Sequence, residues 1–294
     1  MRSIEYSEPT TLEETLQALA ERGEDAKVLA GGQSLLLLLH LGLVQPGVLV
    51  GLQSLSELKE ITLDPAAGLR IGAMTTQRAI ESAPLVQQHC PVLARTASLI
   101  ATVPVRTLGT LGGNLCHNLP GADPPPTLIA LDAVARLESS RGRRDVPVAD
   151  LFQGFMETVV KPDELLTEIR IPAASLGNHA VYLKQCVRDV DPALVGVAVR
   201  LVLADDEEAT CTDVRIGVGG VSLAPYRAVN AERVLRGERL GPESIAEAAR
   251  VAADECEPMT DAHGSARYRR KMLDVFLRRA VSAAWHGAAQ PAQR

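Results

Sequence analysis

Aromatic side chains are scarce in this chain: three Phe, four Tyr and one Trp make up 3% of 294 residues. Stacking nucleic-acid bases needs aromatic platforms, and neutralising phosphate backbones needs a clustered basic face. The densest basic stretches are only Arg141–Arg144 and Arg267–Lys271, and the formal net charge is −6. Nucleic acid is therefore not an expected partner. Long apolar runs are missing too. The longest, Leu35–Leu39, is far short of the roughly 20 residues a membrane helix needs, so no membrane span is expected. The opening Met-Arg-Ser-Ile-Glu-Tyr has no signal-peptide core, and a cytoplasmic location is expected. Five cysteines, at 90, 116, 186, 211 and 256, lie 26, 70, 25 and 45 residues apart, with no CxxC. That spacing argues against a disulfide framework, a zinc site or an iron–sulfur cluster built from this chain alone. Two nucleotide motifs are also lacking. There is no Walker loop, and Gly217-Val-Gly-Gly220 misses the third glycine of a Rossmann fingerprint.

What is present is an ordinary globular composition, 46% hydrophobic and 22% charged, long enough for two domains. Residues 1–55 alternate strand and helix signals. Ile4–Tyr6 reads as a strand, Thr11-Leu-Glu-Glu14 as a capping box opening a helix, and Lys27–Leu29 and Val48–Val50 as strands. The apolar run after Ser34 reads as a buried helix. In residues 56–175 strand signals are denser. Ile61–Leu63 and Leu69–Ile71 flank a hairpin turn, with Gly68 in an outlying position. Pro91–Ile100 looks helical. Thr107–Pro126, with Pro104 just upstream, counts five prolines and four glycines and reads as a long irregular segment of the kind that usually carries function. Ala133–Leu137 and Arg144–Val146 form a second hairpin, and Leu165–Ile171 is a strand. After a candidate linker, Ala173–Asn178, residues 176–294 show three strands, Val181–Cys186, Leu194–Leu203 and Cys211–Val218. The acidic run Asp205-Asp-Glu-Glu208 is the expected turn between the last two. Two helices follow, one opening at Pro242 and one over Arg267–Trp285. Strands followed by helices describe an α+β unit.

Two double-glycine turns stand out: Leu29-Ala-Gly-Gly-Gln-Ser-Leu35 and Arg106-Thr-Leu-Gly-Thr-Leu-Gly-Gly-Asn114. Glycine lets the backbone approach a ligand and adopt positive φ, which is the expectation for Gly112. Consecutive N–H groups can then face one concavity and bind an anion. Gln33, Ser34, Thr110 and Asn114 add polar side chains. Hydrogen bonds to a charged partner are worth about 1.5–3 kcal/mol each, so three or four could hold a pyrophosphate without a lysine. Taken singly, each Gly-Gly is equally readable as a plain turn.

Taken together and in order, these motifs resemble the FAD-binding medium subunit of the molybdenum hydroxylases, the carbon monoxide and xanthine dehydrogenase flavoprotein family. The resemblance runs from Ala30-Gly-Gly-Gln-Ser34 through Gly109-Thr-Leu-Gly-Gly-Asn114, Pro120-Gly-Ala-Asp123 and Glu164–Pro172 to Tyr182-Leu-Lys184, Arg188, Asp191 and Tyr268-Arg-Arg-Lys-Met-Leu273, nearly the whole chain. It implies an α+β protein with a two-subdomain FAD-binding fold of the PCMH/vanillyl-alcohol-oxidase kind (1–55 and 56–175) and an α+β C-terminal domain (176–294). It also implies that FAD is held by Leu29, Ala30, Gly31, Gly32, Gln33, Ser34 and Leu35 from the first turn and by Thr110, Leu111, Gly112, Gly113 and Asn114 from the second. Asp123 is expected near the flavin or as a helix cap. Lys184 and Arg188 are expected either near the flavin or in surface ion pairs.

The implied role is an electron-transfer subunit without a catalytic dyad or metal ligands of its own. The molybdenum cofactor and [2Fe–2S] clusters would sit on a large and a small partner subunit, in a dimer of heterotrimers that delivers electrons to an external acceptor. Two rivals remain: a self-sufficient FAD-dependent oxidoreductase of the same fold and a flavin-free scaffold subunit. The chain departs from the family at Asp191-Pro192-Ala193, where many relatives carry an aromatic residue after the Asp. It departs again at Cys116-His117. Cys116 reads as a small hydrophobe or as a thiol by the flavin, and His117 as a cofactor or subunit contact or as a loop residue without a role.

Overall fold

The computed structural model describes residues 4–177, 179–204 and 210–289. The expected acidic turn at 205–208 and Asn178 of the expected linker lie outside the described residues.

The first unit is a three-stranded parallel sheet with one helix on each crossover: β1 (Glu5–Ser7), α1 (Leu12–Arg22), β2 (Ala26–Leu29), α2 (Leu35–His40) and β3 (Val48–Gly51), with strand order β1-β3-β2. α1 starts where the capping box predicts. The Thr11 hydroxyl accepts from Glu14 N, and the Glu14 carboxylate accepts from Thr11 N. Leu16 and Leu19 then bury against Val48 and Val50. α2 forms, but it is not the buried helix expected. None of its residues is fully buried, and Leu36, Leu37, Leu41 and Leu43 stand in solvent. A run of six residues makes fewer than two turns, and the unit is too small to cover it on every side.

The second unit begins with the hairpin of β4 (Ile61–Asp64) and β5 (Gly68–Gly72). Six short helices follow: α3 (Gln77–Ser82), α4 (Pro84–His89), α5 (Pro91–Ser98), α6 (Val103–Leu108), α7 (Leu111–His117) and α8 (Pro124–Ala130). Then come β6 (Val134–Ser139), β7 (Gly142–Pro147), β8 (Phe152–Gly154), β9 (Glu157–Thr158) and β10 (Leu165–Pro172). The main sheet runs β4-β5-β10-β6-β7, antiparallel throughout, and the helices bury its Leu69, Ile71 and Ile169 face. Thr107–Pro126 is therefore not irregular. Pro104 and Pro124–Pro126 occupy first-turn positions, where the missing N–H is no loss, and Gly112 and Gly113 sit inside α7, while Gly109, Pro120 and Gly121 lie in the short connections between helices. Gly112 is helical rather than left-handed. A Cβ there would come within 2.7 Å of the Ala73 Cβ and 2.9 Å of its carbonyl, so the glycine is needed for close approach and not for positive φ. Gly68 does adopt φ +112°, and a Cβ on it would collide with the Ile171 carbonyl, so it is not the outlying residue its hairpin suggested.

The third unit is the antiparallel sheet of β11 (Ala180–Gln185), β12 (Val195–Leu203), β13 (Cys211–Gly219) and β14 (Tyr226–Arg227), in that order. It is covered by α9 (Val229–Leu235), α10 (Pro242–Glu255) and α11 (Ala266–Ala289). Its aliphatic core joins Val197, Val199, Ile216 and Val218 to Leu273 and Leu277. α8, buried along its whole length, is wedged between this sheet and the second unit. Gly217 makes room for the Pro126 carbonyl, and Arg200 and Arg215 of the sheet clamp Asp132 just beyond α8 at 2.9 Å each. No helix among the described residues is long and apolar enough to cross a membrane.

Candidate functional site

The three units enclose a cleft of about 900 Å³, at the upper end of the range for small-molecule sites. Both glycine turns open into it. A Cβ on Gly31 would collide with the Leu108 carbonyl at the end of α6, so the two turns are packed backbone to backbone. That contact, between residues far apart in sequence, makes one site of two motifs.

The first turn supplies backbone donors. Gly32 takes φ +70°, which bends the chain between β2 and α2. The Gln53 amide donates to Ala30 O at 2.7 Å and ties down the entry, and Leu36 N donates to Gly32 O at 3.1 Å and ties down the exit. The N–H groups of Gly32, Gln33, Ser34 and Leu35 have no hydrogen-bond partner among the described residues. A run of free N–H groups in a concavity is an anion nest. The Ser34 hydroxyl caps nothing and faces the same cleft.

The second turn works differently, and here the expectation of a second nest is corrected. Leu111 N donates to Thr75 O, Gly112 N to Ala73 O, Gly113 N to the Thr110 hydroxyl and Asn114 N to Thr110 O. Every one of these donors is already used. What this turn presents is the bare, exposed face of Gly113 and the Asn114 side chain, whose Oδ1 has no partner. A buried acceptor without a donor costs about 1–3 kcal/mol, so Asn114 fits a site that is completed by a ligand.

Thirteen residues of the expected set group as follows. Ala30, Gly31, Gly32, Gln33, Ser34 and Leu35 line the cleft, as do Thr110, Gly112, Gly113, Asn114 and Asp123. Leu29 and Leu111 do not; Leu111 is fully buried in the second unit's core. Lys184, the remaining member, does not line it either, nor is it in a surface ion pair. It is buried behind the wall, where its ammonium donates to Asp123 at 3.2 Å, Leu99 O at 2.9 Å and Asp191 O at 3.0 Å. Tyr182, two residues earlier on β11, donates its hydroxyl to Asp123 at 2.7 Å. Asp123 stands at the N-terminus of α8 but caps nothing, because its carboxylate is committed to these two partners. Burial pushes its pKa up to about 6, while Lys184 and the Tyr182 hydroxyl pull it back. Arg188, by contrast, is 75% exposed and pairs with Asp191 at 2.8 Å, the surface alternative. Asp191 and Pro192 line the cleft, so proline does stand at its wall. Cys116 and His117 line it too, and burial lowers the His117 pKa.

Sequence reasoning missed Gln77 and Asn118. Gln77, buried at the start of α3, lines the cleft. Its backbone N donates to Gly109 O at 2.8 Å and its amide to Thr110 O at 3.4 Å, which holds the second turn in place. Asn118, at φ +46°, ends α7 and donates to Gly154 O and Glu157 O at 2.7 and 2.8 Å, fastening the β8–β9 hairpin as a cleft wall. Neither sits in a motif. The one available signal was that Asn tolerates the left-handed conformation.

Comparison with known proteins finds relatives along nearly the whole chain. Residues 2–174 match the family described as the FAD binding domain in molybdopterin dehydrogenase, and residues 180–284 match the CO dehydrogenase flavoprotein C-terminal domain. The carbon monoxide dehydrogenase medium chain of Hydrogenophaga pseudoflava is 36% identical over 96% of this chain and 97% of its own length. The nicotine 6-hydroxylase medium subunit of Paenarthrobacter nicotinovorans is 36% identical over 95% and 96%. A chain in the crystal structure of quinoline 2-oxidoreductase from Pseudomonas putida 86 superposes with a TM-score of 0.90 at 34% identity, covering 98% of this chain and 99% of that one.

Proposed function

The chain belongs to the FAD-binding medium subunits of the molybdenum hydroxylases, and from that premise we propose that it is the electron-transfer subunit of a heterotrimeric enzyme. In this reading it takes electrons from the [2Fe–2S] clusters of a small partner subunit, itself supplied by a large molybdenum subunit, and passes them to an external acceptor. Residues 1–55 and 56–175 serve as the two FAD-binding subdomains and 176–294 as the C-terminal domain. Five free cysteines suit a reducing, cytoplasmic setting.

The observation that carries the reading is the pairing of a free-donor turn with a bare glycine face across one cleft. The N–H groups of Gly32–Leu35 and the Ser34 hydroxyl would hold a diphosphate, Gly113 would let it approach, and Asn114 would hydrogen-bond beside it. When bound, FAD supplies the redox chemistry; the chain binds it, orients it and sets its surroundings. Asp123 is a buried carboxylate at the wall between the second and third units. Through Lys184 and Tyr182 it ties the position of the third unit to the cleft. Leu29, Leu111 and Lys184 would act from behind, by holding the wall in place.

The test is direct. The purified full chain should be yellow and should release FAD, not FMN, on acid precipitation. FMN in the supernatant would contradict the diphosphate assignment. Reduction of the flavin by an organic substrate with the chain alone would favour a self-sufficient flavoenzyme.

A further inference from the structure

Tyr268 and Arg269, in the first turn of α11, do not line the cleft. Arg269 is nevertheless buried, 6% exposed, on a helix whose other buried side chains among the described residues are aliphatic, Leu273 and Leu277 among them. An apolar side chain would fill such a position without the cost of desolvating a charge. What a guanidinium adds is a planar fork that holds several acceptors at fixed angles. Its Nη1 donates to the carbonyls of Leu194 and Gly220 at 2.8 Å each, and its Nη2 to Asp261 at 2.7 Å. Both carbonyls lie directly behind the cleft wall. Ala193 N donates to Gly121 O at 2.8 Å, and Gly220 N to Pro120 O at 2.7 Å. On one side of this seam Asp191 and Pro192 line the cleft, and on the other Gly121, Ala122 and Asp123. The seam is bare backbone: a Cβ on Gly121 would come within 2.5 Å of the Ala193 carbonyl, and one on Gly220 within 2.5 Å of the Leu194 carbonyl. Tyr268 grips the same wall. Its hydroxyl accepts from the Gln185 amide at 3.2 Å, and the Gln185 carbonyl accepts from Leu194 N at 2.7 Å, which closes the loop 186–193.

We propose that Arg269 is a positioning residue for the flavin. By joining three segments distant in sequence, it holds Gly121–Asp123 and Asp191–Pro192 at one spacing and fixes how closely this wall covers the isoalloxazine. The inference rests on the FAD reading above. The isoalloxazine belongs at this wall, and the adenine elsewhere, because the wall carries Asp123 with the buried Lys184 ammonium behind it. A ring that takes up electrons responds to charge held close in a dry setting. Where the first unit lines the cleft, its charged side chains, Glu24 and Lys27, are solvent-exposed and screened. Arg269 touches neither cofactor nor cleft. It acts through the backbone it bonds, so its effect is on the setting of the flavin and not on the hold on the diphosphate.

The test uses the flavin-loaded full chain. Two variants open the seam from opposite sides: Arg269→Lys keeps the charge but loses the fork, and Gly121→Ala drives a Cβ against the Ala193 carbonyl. Leu277→Ala, which leaves a cavity in the third unit's core and does not touch the seam, controls for lost stability. Both seam variants should retain FAD, because the free donors of Gly32–Leu35 lie in the first unit. Their visible flavin bands and their midpoint potential should shift toward those of free FAD. Leu277→Ala should lower the melting temperature and keep the wild-type bands and potential. Wild-type bands and potential in a folded seam variant overturn the proposal, and so does an equal shift in Leu277→Ala. A seam variant that loses FAD while its remaining flavin keeps the wild-type spectrum also overturns it, since the wall would then hold another part of the cofactor. If one seam variant does not fold, the other decides. If the wild type itself holds no FAD, the cofactor reading fails together with this one, and that result is recognisable because it needs no variant.

Discussion

Replacing Lys184 by Met should destabilise the chain in a pH-dependent way. The ammonium is buried with three acceptors, the Asp123 carboxylate and the carbonyls of Leu99 and Asp191. Removing one member of such a pair costs about 3–5 kcal/mol, because the other charge is left buried and unpaired. Asp123 can escape part of that cost by keeping its proton. Its folded pKa, about 6, already exceeds the ordinary 3.8 because it is buried. Between those values the folded state holds more protons than the unfolded one. The stabilisation from this group is therefore complete below 3.8 and is lost as pH rises through 6. Without the ammonium the folded pKa moves higher still. Above pH 6 the variant must then hold a protonated acid where the wild type has an ion pair, at about 1.4 kcal/mol per pH unit. The gap between wild type and variant should widen by about 2–3 kcal/mol from pH 6 to pH 8. Chemical unfolding of the flavin-free chain, followed by circular dichroism at pH 5.5 and 8, measures it. The double variant Asp123→Asn/Lys184→Met should lose the pH dependence and be more stable at pH 8 than Lys184→Met alone. An equal gap at both pH values, or a double variant that sums its singles, refutes the reasoning.

Gly32→Ala should reduce FAD retention, since its φ of +70° costs a Cβ about 1–2 kcal/mol. Gly287→Ala, in open space on α11, should leave flavin content unchanged and gain about 0.5–1 kcal/mol; equal flavin content in the two purified variants would contradict this. Gly112→Ala should lower the melting temperature of the flavin-free chain, because its Cβ meets Ala73 at 2.7 Å and overpacking costs about 1–3 kcal/mol. Ser34→Ala should leave that temperature alone and weaken FAD binding in a reconstitution titration. Arg188→Ala, an exposed member of a surface pair, should leave the melting temperature and the FAD affinity unaltered. A large loss in either measurement would place Arg188 in the site.

Much of the fold was legible because local chemistry and burial agree. The capping box starts α1, aliphatic β-branched runs mark β10, β12 and β13, and the turn between β6 and β7 ends at Gly142, beside the expected Arg141-Gly142. The motifs were legible for a related reason: glycines next to small polar residues in a charge-poor stretch are visible without any partner. Proline and glycine misled over 107–126, since they usually break helices, yet at first-turn positions and at a helix–strand contact they build them.

What no local pattern contains is which groups are consumed by the fold. The two turns look alike as strings. Only tertiary packing spends the second turn's donors on Ala73, Thr75 and Thr110 and leaves the first turn's free. Lys184 and Arg188 are both cations near the end of one strand, and only the position of α8 decides that one meets a buried carboxylate while the other stays in water. Leu35–Leu39 is apolar enough for an interior, but burial depends on what lies opposite, and among the described residues none covers the outer face of α2. Residue types and their order therefore determined the family, most of the strands, the helices α1, α5, α10 and α11 and the cofactor class. Hydrogen-bond partners and burial, which depend on residues distant in sequence, were decided by the tertiary structure alone.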